Sequence, residues 1–250
     1  MIGAAPPRDS PVQGRAHVGT SGWAYATWRP LFYPQEVRSA EFLRYYATRL
    51  ATLEVNYTFN HLPTAKNISG WQEATPPEFV FALKASQQIT HVRQLRDPAE
   101  SLPIFFERAR PLGDRLGPVL FQTPPWLKRD DDRLAMFLAS LPRDIRCALE
   151  VRDPSWYVSE VYELLRTVGV ALVHAEGERA PSPVETLGEI APFAYARLRN
   201  RAGYDDAAVA GWAGRLRPLL AGGIDVYAYF RHDETGANAL AAERLRRLLA

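Results

Sequence analysis

The residues of this chain best suited to binding or transforming a ligand recur at one kind of place, the polar end of a short apolar segment. The stretch RCALEVRDPSW at 146–156 is the plainest case. Ala148-Leu149 starts a strand, and Glu150 and Arg152 follow two residues apart, a spacing that puts both on one strand face. Asp153-Pro154 then stops it. A carboxylate beside a fixed cation is costly in an apolar core and natural at the mouth of a pocket. The design repeats along the chain: Thr20 and Ser21 after HVG, Glu54 and Asn56 in TLEVNYTF, Lys84 in FVFALKA, and Gln122 in PVLFQTPP. It continues with His174 in VALVHAE, Tyr195, Arg197 and Arg199 in APFAYARLRN, and His232-Asp233 closing IDVYAYFRHD.

Each of these has a functional and a plainer reading. Glu54 and Glu150 could divide acid and base roles if their surroundings separate their pKa values. Alternatively, Glu150 pairs with Arg152 or Arg197 and stays ionised as scaffold. Lys84 could hold an anion, act as an amine nucleophile if burial lowers its pKa, or simply reach water over a buried stem. Lys84, Arg152 and Arg197 together would form a positive floor for phosphate or carboxylate. His91, His174 and His232 are candidate proton carriers, each with a structural hydrogen-bonding alternative. Thr20-Ser21-Gly22-Trp23 could place hydroxyls and backbone N–H groups around an anion, or merely form a tight turn. Trp23, Tyr25, Trp28, Tyr33, Trp126 and Trp156 would wall such a pocket or cap the end of the fold. The candidate catalytic set is therefore Glu54, Glu150, Lys84 and His91. The binding set is Thr20, Ser21, Trp23, Asn56, Gln122, Arg152, Trp156, His174, Tyr195, Arg197, His232 and Asp233. No H-x-x-x-H spacing brings histidines to these acids, so no metal is expected. G-x-G-x-x-G and G-x-S-x-G are both absent, and no cofactor is expected.

A common rim for residues so far apart requires particular elements. The chain has 250 residues, enough for two ordinary domains or one large barrel, with 47% hydrophobic and 23% charged residues. Apolar segments at 17–20, 52–59, 79–85, 118–125, 148–149, 170–176, 191–200 and 224–233 read as strands. Helical spacing appears between most of them. Leu134, Phe137, Leu138 and Leu141 form one such stripe, and Val161, Leu164, Leu165 and Val168, stopped by Gly169, form another. Phe42, Tyr45, Tyr46 and Leu50, the segments 102–110 and 209–220, and the C-terminal GANALAAERLRRLLA supply the others. Eight short strands alternating with helices predict a single parallel (β/α)₈ barrel, irregular only between strands six and seven. An open doubly wound sheet is the alternative, but it would normally carry a Gly-rich phosphate turn after its first strand.

Residues 1–16 read as a flexible tail before one domain at 17–250, and no apolar run is long enough to span a bilayer. The one cysteine, Cys147, falls in a strand and reads as a buried inert thiol, which fits a reducing cytoplasm. The net charge is +2 and the pI about 8.7, and only Lys66, Lys84 and Lys128 are lysine. No polybasic block appears, so a nucleic-acid partner would need arginines gathered by folding onto one face.

Seven blocks resemble, in order, those of the YecE-like family, a domain of unknown function numbered seventy-two. They are GTSGWAYATWRPLFYP, TLEVNYTFNHLP, FALKASQQITH, VLFQTPP, ALEVRDPSW, YARLRNRAGY and YAYFRHDETGANA. The resemblance implies a single TIM-like barrel without an established activity. It singles out, among others, Gly19, Ser21, Glu54, Lys84, His91, Gln122, Glu150, Arg152, Tyr195, Arg197 and Asp233. Two positions depart from the family pattern. Arg199-Asn200 stand where R-x-H-G is usual, and His232 stands where Asn usually precedes the Asp.

The reading that combines these features is an isomerase or hydrolase acting on a small anionic or phosphorylated molecule. The alternatives are a metabolite- or nucleic-acid-binding module without catalysis and, by analogy with other barrels, a metal-dependent phosphoesterase or nuclease.

Overall fold

The computed structural model describes residues 13–177 and 183–250. Short runs of Val, Leu, Phe and Ala form nine parallel strands: β1 (Ala16–Ser21), β2 (Thr52–Val55), β3 (Val80–Lys84), β4 (Leu116–Gln122), β5 (Cys147–Glu150), β6 (Ala171–Leu172), β7 (His174–Ala175), β8 (Phe193–Leu198) and β9 (Asp225–Arg231). Their order in the sheet is β6-β5-β4-β3-β2-β1-β9-β8-β7. The two outermost strands of this order are consecutive in the chain, separated only by Val173. The first half of that segment pairs with β5 and the second with β8. Val173 N–H donates to the Leu149 carbonyl at 2.9 Å, and Glu176 N–H donates to the Arg197 carbonyl at 3.0 Å. The expected sixth strand is thus one extended segment that changes partner midway, and this brings the sheet round into a nearly closed barrel.

Helices α1 (Phe42–Arg49), α2 (Tyr57–Asn60), α3 (Ala65–Ala74), α4 (Pro98–Ala109), α5 (Asp131–Ala139), α6 (Ser159–Val168), α7 (Asp206–Ala221) and α8 (Ala237–Leu249) connect the strands. Their apolar stripes pack on the outward strand residues in one continuous core that includes Tyr46, Phe137, Leu165, Trp212 and Leu245. Asp130 and Asp205 cap α5 and α7 by accepting backbone N–H bonds, and Gly169 ends α6 in a left-handed conformation. Among the described residues, no helix is long and apolar enough to cross a membrane.

The barrel interior is filled asymmetrically. Ala82, Ala148 and Ala171 face inward on one side, while Phe193, Tyr195, Tyr227 and Tyr229 of β8 and β9 occupy the space those small residues leave. The inner face of the barrel is therefore a packed core for most of its height; Arg146, Asp225 and His17 gather around Tyr227 at its N-terminal end, and Glu54, Glu150 and Arg197 meet near the C-terminal strand ends.

Three boundaries differ from the sequence expectation. The second strand stops at Val55 rather than Phe59, because Asn56 opens α2. The Thr58 hydroxyl there lies 3.0 Å from the Val55 carbonyl and 2.7 Å from that of Lys84, which draws the chain into a helical turn across the end of β3. β5 ends at Glu150, so Arg152 lies beyond the strand. The expected tail is shorter at its C-terminal end: Gly14 N–H donates to the Leu220 carbonyl and Arg15 N–H to Asp225. The rest of that segment, residues 1–12, lies outside the described residues. So do residues 178–182 of the expected irregular connection, whose described part holds a short 3₁₀ turn at Val184–Thr186.

β1 packs tightly on its neighbours. A Cβ on Gly19 would stand 2.2 Å from the Thr52 carbonyl oxygen and 3.0 Å from the Tyr46 hydroxyl. Gly19→Ala is expected to destabilise the protein by about 1–3 kcal/mol, the usual range for overpacking. Urea unfolding should show a lowered midpoint with an unchanged slope.

Candidate functional site

Strand register sets the site. Ser21 lies beside Glu54, and Gln122 beside Glu150, so neighbouring strands deliver their polar ends at one level. Tyr195 and Arg197 alternate inward on β8 and reach across the barrel. Arg197 is the hub. Its Nη2 donates to Glu54 Oε1 at 2.7 Å and its Nη1 to Glu150 Oε2 at 2.6 Å. The second oxygen of each carboxylate is also occupied. Tyr195 Oη donates to Glu54 Oε2 at 2.8 Å, and Gln122 Nε2 donates to Glu150 Oε1 at 2.7 Å. Lys84 Nζ completes the chain by donating to Gln122 Oε1 at 2.8 Å. Relative side-chain exposure is 2% for Arg197, 0% for Glu54 and 1% for Glu150, so the three are sealed from solvent.

This arrangement separates the candidates by role. Both acids are bound to one guanidinium, and the alternative in which Glu150 pairs with Arg197 is the geometry found. Burial alone would push the Glu150 carboxyl up, but the charges of Arg197 and Arg199 and the bonds from Gln122 and Arg197 together hold it below its ordinary value. It stays ionised near neutral pH and is no proton donor there. Arg197 is likewise held above its ordinary value: burial opposes its charge, and Glu54 and Glu150 outweigh it. Arg197 is therefore engaged with the acids rather than set out as a floor for an incoming anion.

Lys84 differs. It is only partly buried, and among the described residues no carboxylate lies within ion-pair distance of its amine. The ammonium sits 3.9 Å from the centre of the Phe59 ring. Burial, with help from the Arg197 charge, brings its pKa down to about 8 against the opposing pull of Glu150 and Glu54. His91 stands nearby, edge-on to Phe59 at 5.0 Å and to Trp126 at 6.3 Å, with Nδ1 2.9 Å from the Thr90 hydroxyl. Burial and then the charges of Lys84 and Arg152 hold this imidazole below its ordinary value, so it is neutral near pH 7. An amine that can lose its proton and a neutral imidazole thus share one rim.

The remaining candidates fall in several places. Ser21 is buried at the level of Glu54, and His232 makes a hydrogen bond to its backbone while stacking on Tyr25 at 4.7 Å. Trp23 and Asn56 line a separate cleft beside the mouth. Arg152 lies in the loop after β5, and its charge reaches His91. Four residues are directed elsewhere. Thr20 points to the helix layer, its hydroxyl 3.0 Å from that of Tyr46 and donating to the Gly22 carbonyl. His174 also faces outward, 5.4 Å from the Trp212 ring of α7. Trp156 is fully buried and donates from Nε1 to the Leu127 carbonyl at 2.7 Å. Asp233 caps α8, accepting from Gly236 N–H at 3.0 Å and Ala237 N–H at 3.1 Å. The first two follow from strand alternation, which sends every second residue outward. The other two were assigned by position alone, when their atoms were needed to hold a loop and a helix start.

Phe59, which the family resemblance also singles out, falls in a segment that reads as strand; its place on α2 depends on where β2 stops. Arg199, a strand-face residue and a departure from the family pattern, exerts its charge on Lys84, Glu150 and His232. Cys147 is buried, and burial followed by Asp144 pushes its thiol up to about 12, so it is an inert core group.

Removing the hub would leave two buried carboxylates facing each other. Arg197→Met is expected to lower stability by about 3–5 kcal/mol, the usual consequence of breaking a buried ion pair from one side. The pH dependence has a definite sign. A carboxyl held below its unfolded value contributes stability that is complete above roughly pH 4.3 and lost as the pH falls through the folded value. Glu150→Gln should therefore flatten the acid limb of a stability–pH curve measured by urea unfolding. An unchanged acid limb would show that Glu150 is not ionised in the folded protein.

Three comparisons bear on what the chain is. Over 155 residues, 59% of its length, it is 28% identical to the UPF0759 protein YunF of Bacillus subtilis, and it spans about half (54%) of that relative. The crystal structure of a DUF72 family protein from Thermotoga maritima superposes with a TM-score of 0.82 at 26% identity, covering 94% of this chain and 99% of the other. A DUF72 family protein from Enterococcus faecalis shares the fold with a TM-score of 0.73 at 17% identity, covering 94% of this chain and 95% of the other. A family model described as "Protein of unknown function DUF72" matches residues 17–250, and the chain belongs to that family.

Proposed function

We propose that the protein is an isomerase acting on a small anionic carbonyl compound, with Lys84 as its reactive amine. The observation that carries this reading is the placement of Lys84. It ends a buried hydrogen-bonded network, has no carboxylate partner among the described residues, and is only partly buried, with its pKa brought down to about 8. A lysine bound to a carboxylate would remain an ammonium, whereas this one is partly neutral at physiological pH and able to attack a carbonyl carbon.

The chemistry would run as follows. The neutral Lys84 amine adds to the carbonyl carbon, and the resulting carbinolamine loses water to give an imine. The imine draws electrons from the neighbouring C–H bond, and a proton leaves that carbon for a neutral base. His91, held neutral and oriented through Thr90, is the group at hand. Returning the proton to the opposite face of the same carbon regenerates the imine, and adding water across it releases the epimer and restores the amine. Glu54, Glu150, Arg197 and Gln122 are positioning residues in this scheme: they fix Lys84 and take no part in proton transfer. The charges of Arg152 and Arg199 reach the same rim and favour an anionic substrate.

The test is borohydride trapping with pyruvate and glyoxylate as probes. The expected result is a covalent adduct, located by peptide mass spectrometry on Lys84 rather than on Lys66 or Lys128, and absent in Lys84→Met. Its rate should rise with pH and level off above about 8, because the free amine is the attacking form. Equal labelling of all three lysines, or labelling without that pH profile, would refute the role given to Lys84.

A further inference from the structure

A second recess lies beside the mouth and takes no part in the network just described. It is a cleft of about 320 Å³ between the turn after β1 and helix α3, lined by Trp23, Tyr25, Asn56, Tyr57, Asn67 and Trp71. No charged side chain lines it. Trp23 and Trp71 stand perpendicular, with centres 6.4 Å apart and planes at 89°, so the recess presents one aromatic face and one aromatic edge at right angles. Tyr25 is fixed from behind by stacking on His232. Tyr57 forms an outer lip, 44% exposed and stacked on His61 at 4.9 Å.

Two amides supply the polar groups. Asn67 Oδ1 accepts from the Thr64 backbone and hydroxyl, which turns its NH₂ group away from that cap and leaves it as a donor. Asn56 precedes α2 but makes no side-chain cap bond, so holding the helix does not account for its amide. We propose that this cleft is a binding subsite for a flat heteroaromatic ring carrying hydrogen-bonding groups on its edge. A sugar fits the lining less well. Its four or five hydroxyl groups need more partners than two amides and two phenols provide, and burying them unpaired costs about 1–3 kcal/mol each. A planar ring can stack one apolar face on an indole, meet the perpendicular indole at its rim, and keep one short polar edge for the amides.

The cleft also bears on the substrate, a step that rests on the carbonyl reading above. Asn56 and Phe59 are three residues apart on the α2 turn, and such residues have Cβ atoms roughly 5–6 Å from each other. Asn56 lines the cleft, and Phe59 carries the Lys84 ammonium against its ring. A ring seated in the cleft would therefore lie about one helical turn from the group that holds Lys84, so that a side arm on the ring could be directed toward the amine. The substrate class is an anionic carbonyl compound attached to a heteroaromatic ring.

Nicotinamide is a suitable probe, being flat, neutral and amide-edged. Cyclohexanecarboxamide, which has the same edge without the flat face, and glucose serve as comparators. With the indole N–H resonances assigned, titration with nicotinamide should shift those of Trp23 and Trp71 and leave the buried Trp156 signal in place. Asn56→Leu should weaken the binding at least fivefold. Trp23→Phe should retain the fold, checked by its thermal midpoint, and also weaken binding. Lys84→Met should leave nicotinamide affinity within twofold, and failure of the unaltered protein to form the borohydride adduct while still binding nicotinamide would count against the carbonyl reading alone. No shift at Trp23 and Trp71, equal binding of cyclohexanecarboxamide, or tighter binding of glucose would overturn the ring subsite.

Discussion

One guanidinium holds two carboxylates together inside this barrel, and the arrangement of the mouth depends on it. Glu54 and Glu150 come from strands on different sides of the closed sheet and approach the same cation, each at hydrogen-bond distance. Without Arg197 the two would repel at a depth where water cannot screen them. Arg197 suits the position because its planar fork offers two separate N–H groups and keeps its proton at any physiological pH. The phenol of Tyr195, two residues earlier on the same strand face, takes an oxygen that the fork does not reach. Strand alternation on β8 therefore supplies both groups that quiet Glu54.

This clamp decides which group is left to react. The clamp binds both acids to one arginine, and Lys84 meets it through Gln122 rather than by direct contact with a carboxylate. Two carboxylates flanking a barrel mouth suggest acid–base catalysis, yet here both are fully hydrogen-bonded, and Glu150 is held in its charged form. Reactive character moves outward to the amine, the one member of the chain that burial pushes toward neutrality without sealing it off. The network works as a scaffold whose last member is chemically soft. Burying such a network costs desolvation that a set of apolar side chains would not, so its presence at the end of the barrel where sites are found is an argument for function over packing.

Much of the fold was legible because its signals are local. Apolar runs such as FVFAL and PVLF, helical stripes such as Leu134 to Leu138, and the Gly169 stop survive tertiary packing unchanged. The sequence could not show where β2 ends, since that turns on a hydroxyl at Thr58 finding carbonyls on two different strands. The site was legible as a set of strand-end residues, and Glu54, Lys84, Gln122, Glu150, Tyr195 and Arg197 do meet. Which partner each would take was open. Glu150 and Arg152 looked like neighbours because a strand was carried two residues too far, and the true partner lies 47 positions along the chain. Thr20 and His174 lie near strand ends and read as rim residues, but alternation sends them to the helix layer. A one-residue ambiguity in strand phase is enough to reverse that choice.

Gln122 connects the buried charges to the reactive end, and its orientation is set by chemistry. An ionised carboxylate can only accept hydrogen bonds, so Glu150 turns the amide NH₂ of Gln122 toward itself and leaves the carbonyl facing Lys84. That carbonyl accepts from the Lys84 amine, and more strongly from its ammonium form. Burial, then the charges of Arg197 and Arg199, favour the neutral amine, Glu150 and Glu54 favour the ammonium, and the balance brings its pKa down to about 8. Were Glu150 protonated, the amide could rotate and offer N–H to Lys84, and the amine would lose its proton more readily still. The state of a sealed carboxylate is thus transmitted through one amide to a group in contact with solvent. Lys84 is tuned by residues that are themselves buried.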